Sequence, residues 1–146
     1  MNLVLEKSDI WVKMKTKTAY VSARFAQKEE VKKIYSQLKK LGYSIPHDWT
    51  QHKPIKPYSK NSELAEKYAI KDIEGSRKSD LFIIITDDAG TGMHSELGAA
   101  ISNNIEFKKP LIYVIGNYLD RSVFFFHPSV KRRTTIEEVI EELKDL

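Results

Sequence analysis

The chain of 146 residues contains no cysteine. That excludes a disulfide framework and any thiolate nucleophile or thiolate metal site. Long apolar runs are also missing: none approaches the roughly 20 residues a membrane-crossing helix needs. The opening stretch from Met1 to Lys17 breaks its apolar residues with Glu6, Lys7, Asp9 and Lys13, so it holds no signal-peptide core. No membrane partner is expected, and the cytoplasm is the expected location. Glycine is scarce, six residues in all. The ones at Gly90 and Gly92 lack the Lys-Ser/Thr of a Walker loop and the three-glycine spacing of a dinucleotide fingerprint. Charge of one sign is nowhere concentrated except at Lys131-Arg132-Arg133. A nucleic-acid polymer needs a basic stripe, so none is expected as a partner. The net charge of +4, from 24 basic and 20 acidic residues, is a mild excess that suits a small phosphorylated ligand. With 41% apolar and 30% charged residues, the composition is that of one globular domain.

Read in order, residues 1–17 form an N-terminal extension of no clear type, and residues 18–146 form the domain. Thr18 to Ser22 reads as a first core strand. A helix follows from Gln27 to Leu41, its apolar face built by Val31, Ile34, Tyr35, Leu38 and Leu41 at spacings of three and four. Gly42 stops it, and Tyr43 to Ile45 is a short second strand ended by Pro46. His47 to Lys60 is a polar loop long enough to be functional. Asn61 to Lys78 is helical, anchored by Leu64, Tyr68 and Ile73. Leu81 to Thr86 is a third strand, Leu111 to Ile115 a fourth and Val123 to Phe126 a fifth. Thr135 opens a closing helix with Glu138 in a capping box. Alternating strands and helices imply an α/β domain of three layers. The expected form is flavodoxin-like or Rossmann-like, a five-stranded parallel sheet in the order 2-1-3-4-5.

Such a sheet binds ligands at the carboxyl ends of strands one and three, which puts Ser22 and Arg24 beside the turn Asp87-Asp88-Ala89-Gly90-Thr91-Gly92. The adjacent acids can be read as a Mg²⁺ site or as a plain acidic turn. Glu96 falls in the opening turns of the following helix. The positive helix end favours its ionised form, either as a nucleophile or as a simple dipole partner. Asp72 is a helix acid, solvated or catalytic. Arg24 suits a phosphate or an acid, and facing alone does not sort Ser22 and Arg24 from Tyr20. Trp49 suits a stacked base or the edge of the core. His94 is an exposed residue or a further acid.

Tyr20-Val21-Ser22-Ala23-Arg24, then Asp72, then Gly92 through Glu96-Leu97-Gly98-Ala99-Ala100 resemble the nucleoside 2-deoxyribosyltransferase family, which includes the 2'-deoxynucleoside 5'-phosphate N-hydrolases. The resemblance covers about Thr18 to Pro128. Its most specific piece is the acidic, Gly-containing turn followed by Glu-Leu-Gly-x-Ala. It implies that Glu96 is the nucleophile, that Asp72 positions the sugar and handles protons, and that Ser22 and Arg24 lie near the sugar or 5'-phosphate. Tyr20, Trp49, Asp87, Gly90, Gly92 and His94 complete the expected binding residues. His94 stands where many members carry glycine. The implied chemistry is a retaining glycosyl transfer. Glu96 attacks C1' of a 2'-deoxynucleoside or its 5'-monophosphate, and the deoxyribosyl ester passes to another base or to water. No metal or organic cofactor is required. The resemblance also implies a homodimer or higher homo-oligomer. Two other readings remain open: a nucleotide-binding or sensing domain without catalysis, and an NAD glycohydrolase, whose Toll-receptor-like layout also uses a glutamate.

Overall fold

The computed structural model describes residues 16–146; most of the expected N-terminal extension lies outside the described residues. Eight elements carry the fold: β1 (Ala19–Ser22), α1 (Lys28–Lys40), α2 (Ser62–Lys78), β2 (Leu81–Ile85), α3 (Gly92–Phe107), β3 (Leu111–Ile115), β4 (Val130–Arg133) and α4 (Ile136–Lys144). The strands form one parallel sheet in the order β1-β2-β3-β4. Both central strands are built of aliphatic and aromatic residues and are buried except for the half-buried Leu111, as strands covered on both faces must be.

Two expected strands differ. Tyr43 to Ile45 is reduced to a single parallel bridge between Ser44 and Thr18. Ser44 donates to the Lys17 carbonyl at 2.8 Å and accepts from the Ala19 amide at 3.0 Å. Pro46, which has no N–H, ends the pairing two residues later. Beyond the bridge, side chains take over the outer edge of β1. The Val21 amide donates to Tyr35 Oη at 3.1 Å, and the Val21 carbonyl accepts from Trp49 Nε1 at 2.6 Å.

The second difference is Val123 to Phe126, which forms a 3-10 turn capped by Ser122. Three of its four residues are exposed and only Phe125 is buried. The last strand is instead β4, the basic segment VKRR. An edge strand tolerates charge because one of its sides meets water, and Arg133 is paired with Glu142 of α4. The sheet therefore has four strands rather than five.

The bridge at Ser44 lies outside β1 and β2 lies inside it, so the crossover direction reverses at β1. Right-handed connections then put α1 and α2 on opposite faces. On the α2 face, β1 presents Tyr20 and Ser22, and Tyr20 stacks on Phe82 with ring centroids 6.1 Å apart. On the other face, Tyr113 of β3 reaches Glu142 of α4. Val31, Ile34, Tyr35 and Leu38 bury the expected face of α1, each worth about 1.5–3 kcal/mol of transfer free energy. Half of the capping box at Thr135 forms: the Glu138 amide donates to Thr135 Oγ1, while the Glu138 carboxylate meets the Thr135 hydroxyl at 3.4 Å rather than its amide. α2 comes unusually close to β1: a Cβ on Gly75 would sit 2.8 Å from the Tyr20 ring. That approach carries the polar face of α2 over the carboxyl end of β1.

Candidate active site

The long loop, α2, the β2–α3 turn and the start of α3 enclose a cavity of about 1000 Å³ at the carboxyl end of β1. Glu96, Asp72, Arg24 and Trp49 line it, together with Gly90 and Gly92 of the turn. Glu96 enters from α3 with its carboxyl sunk against β1 and α2. Ser76 Oγ lies 3.3 Å from Glu96 Oε2 and donates to the Asp72 carbonyl at 2.6 Å. One hydroxyl proton cannot serve both acceptors at full strength. The Tyr20 and Ser22 hydroxyls also lie near the Glu96 carboxyl, close enough to favour its charged form. Both are buried, and neither reaches a well-formed hydrogen bond with any described group.

Burial therefore dominates the electrostatics. It pushes the Glu96 carboxyl up to about 8; the hydroxyls of Tyr20, Ser22 and Ser76 pull down, and the Asp72 charge pushes up further. The sequence suggested an acid kept ionised by the helix dipole. The structure corrects this: Glu96 sits in the second turn of α3, facing the sheet, where loss of water outweighs the dipole. Tyr20 is held neutral by its own burial and by the neighbouring Glu96 charge.

The acidic turn is a structural device rather than a cation site. Arg24 Nε and Gln27 Nε2 donate to Asp87 Oδ2 at 3.1 and 2.9 Å, and the Asp88 amide donates to Oδ1 at 2.7 Å. These donors, Gln27 first, hold the Asp87 carboxyl down at about 2. Arg121 clamps the same turn from the far side, donating from Nη1 to the carbonyls of Asp87 and Ala89. Gly90 has φ +94°, a conformation that strains any residue with a Cβ, and a Cβ there would only touch the Arg24 side chain at 3.4 Å. Arg24 is thus partly engaged by Asp87, and Asp87 does not line the cavity.

His94 also lies away from the cavity. Two residues before Glu96 is about 200° round a helix, and His94 stacks on the buried ring of Phe125, centroids 5.6 Å apart. Burial lowers its pKa, with Arg121 adding to the effect. Trp49 forms a wall, with its indole N–H committed to β1 and little of its surface exposed. At the mouth of the cavity, α3 begins with no acid in its first turn and no side-chain cap from Thr91. Its free N–H groups and positive dipole end suit an anion, and Lys53 and Lys56 lie on the facing loop.

Sequence reasoning missed His47, His52 and Ser76. His47 Nε2 is 2.7 Å from Asp72 Oδ1. His52 Nε2 is 3.7 Å from the same oxygen, and its ring stacks on Tyr68 at 3.7 Å and 5°. The signal was present in α2, where Tyr68, Asp72 and Ser76 recur every four residues and form one stripe. The loop histidines carried no such signal.

No protein-family model matches the chain, and no curated protein matches it significantly. Among solved structures, the chain is similar to the Clostridium botulinum CMP N-glycosidase BcmB, with a TM-score of 0.50 and 19% identity over 89% of this chain and all of that one. At that identity the likeness concerns the α/β fold. Among the described residues no helix is long and apolar enough to cross a membrane.

Proposed function

We propose that the protein breaks the N-glycosidic bond of a 2'-deoxynucleoside 5'-monophosphate, or of the parent nucleoside, through Glu96. The observation that carries this reading is a half-buried glutamate at the sheet's switch point, with three hydroxyls near its carboxyl and one side open to a cavity of about 1000 Å³. The Glu96 carboxylate attacks C1' from one face of the sugar. The C1'–N bond breaks, its electron pair leaves with the base, and the base nitrogen is protonated. Water, or a second base, then attacks C1' of the glycosyl ester and releases Glu96. Asp72 stands beside Glu96 on the cavity wall and is the group that positions the sugar and handles protons. The Tyr20 and Ser22 hydroxyls lack strong partners in the resting site and are free to tighten onto Glu96 as it ionises. The uncapped start of α3, with Lys53 and Lys56, supports a 5'-phosphate, and the name of the structural neighbour supports a nucleoside monophosphate. A homo-oligomer remains part of this reading.

The test is incubation of the protein and its Glu96→Ala variant with ribo- and deoxynucleosides, their 5'-monophosphates and NAD, with and without a second free base, read by chromatography. Base release by the wild type alone supports the reading, and exchange of the base separates transfer from hydrolysis. Retained activity in the variant would remove Glu96 from the chemistry. Nicotinamide release alone would make the protein an NAD glycohydrolase. Tight nucleotide binding without release would make it a sensor.

A further inference from the structure

We propose that His47, His52 and Asp72 form a binding site for one divalent transition-metal ion of the zinc class, which fastens the long loop to α2. The three side chains each offer a ligand atom, and these atoms lie within 4.8 Å of one another. Both imidazoles converge on one carboxylate oxygen, with Nε2 atoms at 2.7 Å for His47 and 3.7 Å for His52. A carboxylate oxygen approached by two imidazoles is satisfied at hydrogen-bond length by only one of them. His52 is left beyond that reach, facing the oxygen without bonding it. Ligands about 2.0–2.2 Å from a tetrahedral zinc lie roughly 3.3 Å apart. The two separations from Asp72 straddle that value by about half an ångström, and the two imidazole nitrogens lie within 4.8 Å of each other, so side-chain shifts without backbone movement would close the set on an ion.

The surroundings favour the same arrangement. The side chains are mostly withdrawn from water, with exposures of 19%, 14% and 25% for His47, His52 and Asp72. His52 is held flat on Tyr68, and His47 packs on Tyr20 at 6.2 Å. Both rings are therefore aimed by packing rather than left to swing. His52 and Asp72 also line the cavity, which leaves a fourth position open to water. Two imidazoles and one carboxylate are nitrogen and oxygen donors suited to zinc and its neighbours, and unsuited to Mg²⁺ or Ca²⁺, which prefer oxygen alone. His47 and His52 sit at the start of a loop that runs on to Lys60, and Asp72 is fixed in α2. An ion joining them would staple one wall of the cavity. This inference does not depend on Glu96 being a nucleophile; the ion would take Asp72 Oδ1, the oxygen both imidazoles face, and leave Oδ2 for the sugar.

The experiment is calorimetric titration of the chelator-treated full-length protein with Zn²⁺, repeated with His47→Ala, His52→Ala and Asp72→Asn. Co²⁺ spectra report the coordination geometry, and circular dichroism checks the fold of each variant. One equivalent of Zn²⁺ is expected, with a rise in melting temperature on binding. Each variant should weaken binding by at least about tenfold, the loss produced even by disturbing an outer-shell partner. Two results overturn the proposal: no stoichiometric binding to the wild type, or unchanged affinity in folded variants, which would move the ion to other groups such as His94 or His127. Binding is read without turnover, so failure here leaves the glycosidase reading untouched, and the converse also holds.

Discussion

Replacing Glu96 by Gln should make the protein more stable at alkaline pH and leave it nearly unchanged at acid pH. In the unfolded chain this carboxyl releases its proton near 4.5, and in the folded chain near 8. Between those values the native state holds the proton that the unfolded state has lost, so stability falls as pH rises. Below 4.5 both states are protonated and the cost vanishes. A gap of about three and a half units at about 1.4 kcal/mol each sets an upper bound near 5 kcal/mol by pH 8. Glu96 keeps a route to water through the cavity, so about 2–3 kcal/mol is the working figure. A neutral amide of the same shape avoids that cost, and the hydroxyls of Tyr20, Ser22 and Ser76 can turn to meet it. For a domain of this size the gain amounts to roughly 5–10 °C in melting temperature. Thermal melts of both proteins at pH 4.5, 7 and 8.5 measure it. A shift equal at all three pH values, or a Gln variant less stable at pH 8.5, would refute the burial argument.

The same shift governs activity. If the ionised Glu96 attacks the sugar, kcat/KM for base release should climb about tenfold per pH unit up to about pH 8 and level off above; a profile flat from pH 6 to pH 8 contradicts a buried carboxylate nucleophile. Gly75→Ala should destabilise the fold by about 1–3 kcal/mol, because the new methyl meets a Tyr20 ring that has no room to retreat. The intrinsic helix preference for alanine offsets at most about 1 kcal/mol of this. A denaturant midpoint at or above that of the wild type would show that α2 can slide away from β1.

Much of this architecture was legible because apolar spacing reports burial directly. α1, α2 and α4 lie within about a residue or two of where their periodicity placed them, and β2 and β3 are unbroken apolar runs. The failures have particular causes. Val123 to Phe126 has the composition of a strand, but Ser122 and Pro128 bracket it, and the chain turns there. VKRR lacks the composition of a strand and pairs only because an edge needs no apolar outer face. In the site, Glu96 and Asp72 could be singled out from sequence, whereas their electrostatics could not. The desolvation that raises Glu96 depends on how close α2 comes to β1, and that distance is set in three dimensions. The pairing of His47 with Asp72 joins residues 25 apart along the chain, and no local pattern encodes it.

The outer edge of β1 has a consequence beyond the sheet itself. A full neighbouring strand would have consumed the chain after Ser44 in pairing. Here the Tyr35 hydroxyl and the Trp49 indole cover the remaining donor and acceptor of Val21, so the edge offers no template to a stray strand from another molecule. The residues spared from pairing leave the sheet early. They supply the segment from His47 onward that roofs the cavity. Past the buried Trp49 and Thr50, this segment can vary in length and chemistry while the sheet beneath it stays unchanged. Two aromatic side chains thus separate the part of the molecule that must be conserved for folding from the part that can be reshaped for a different ligand.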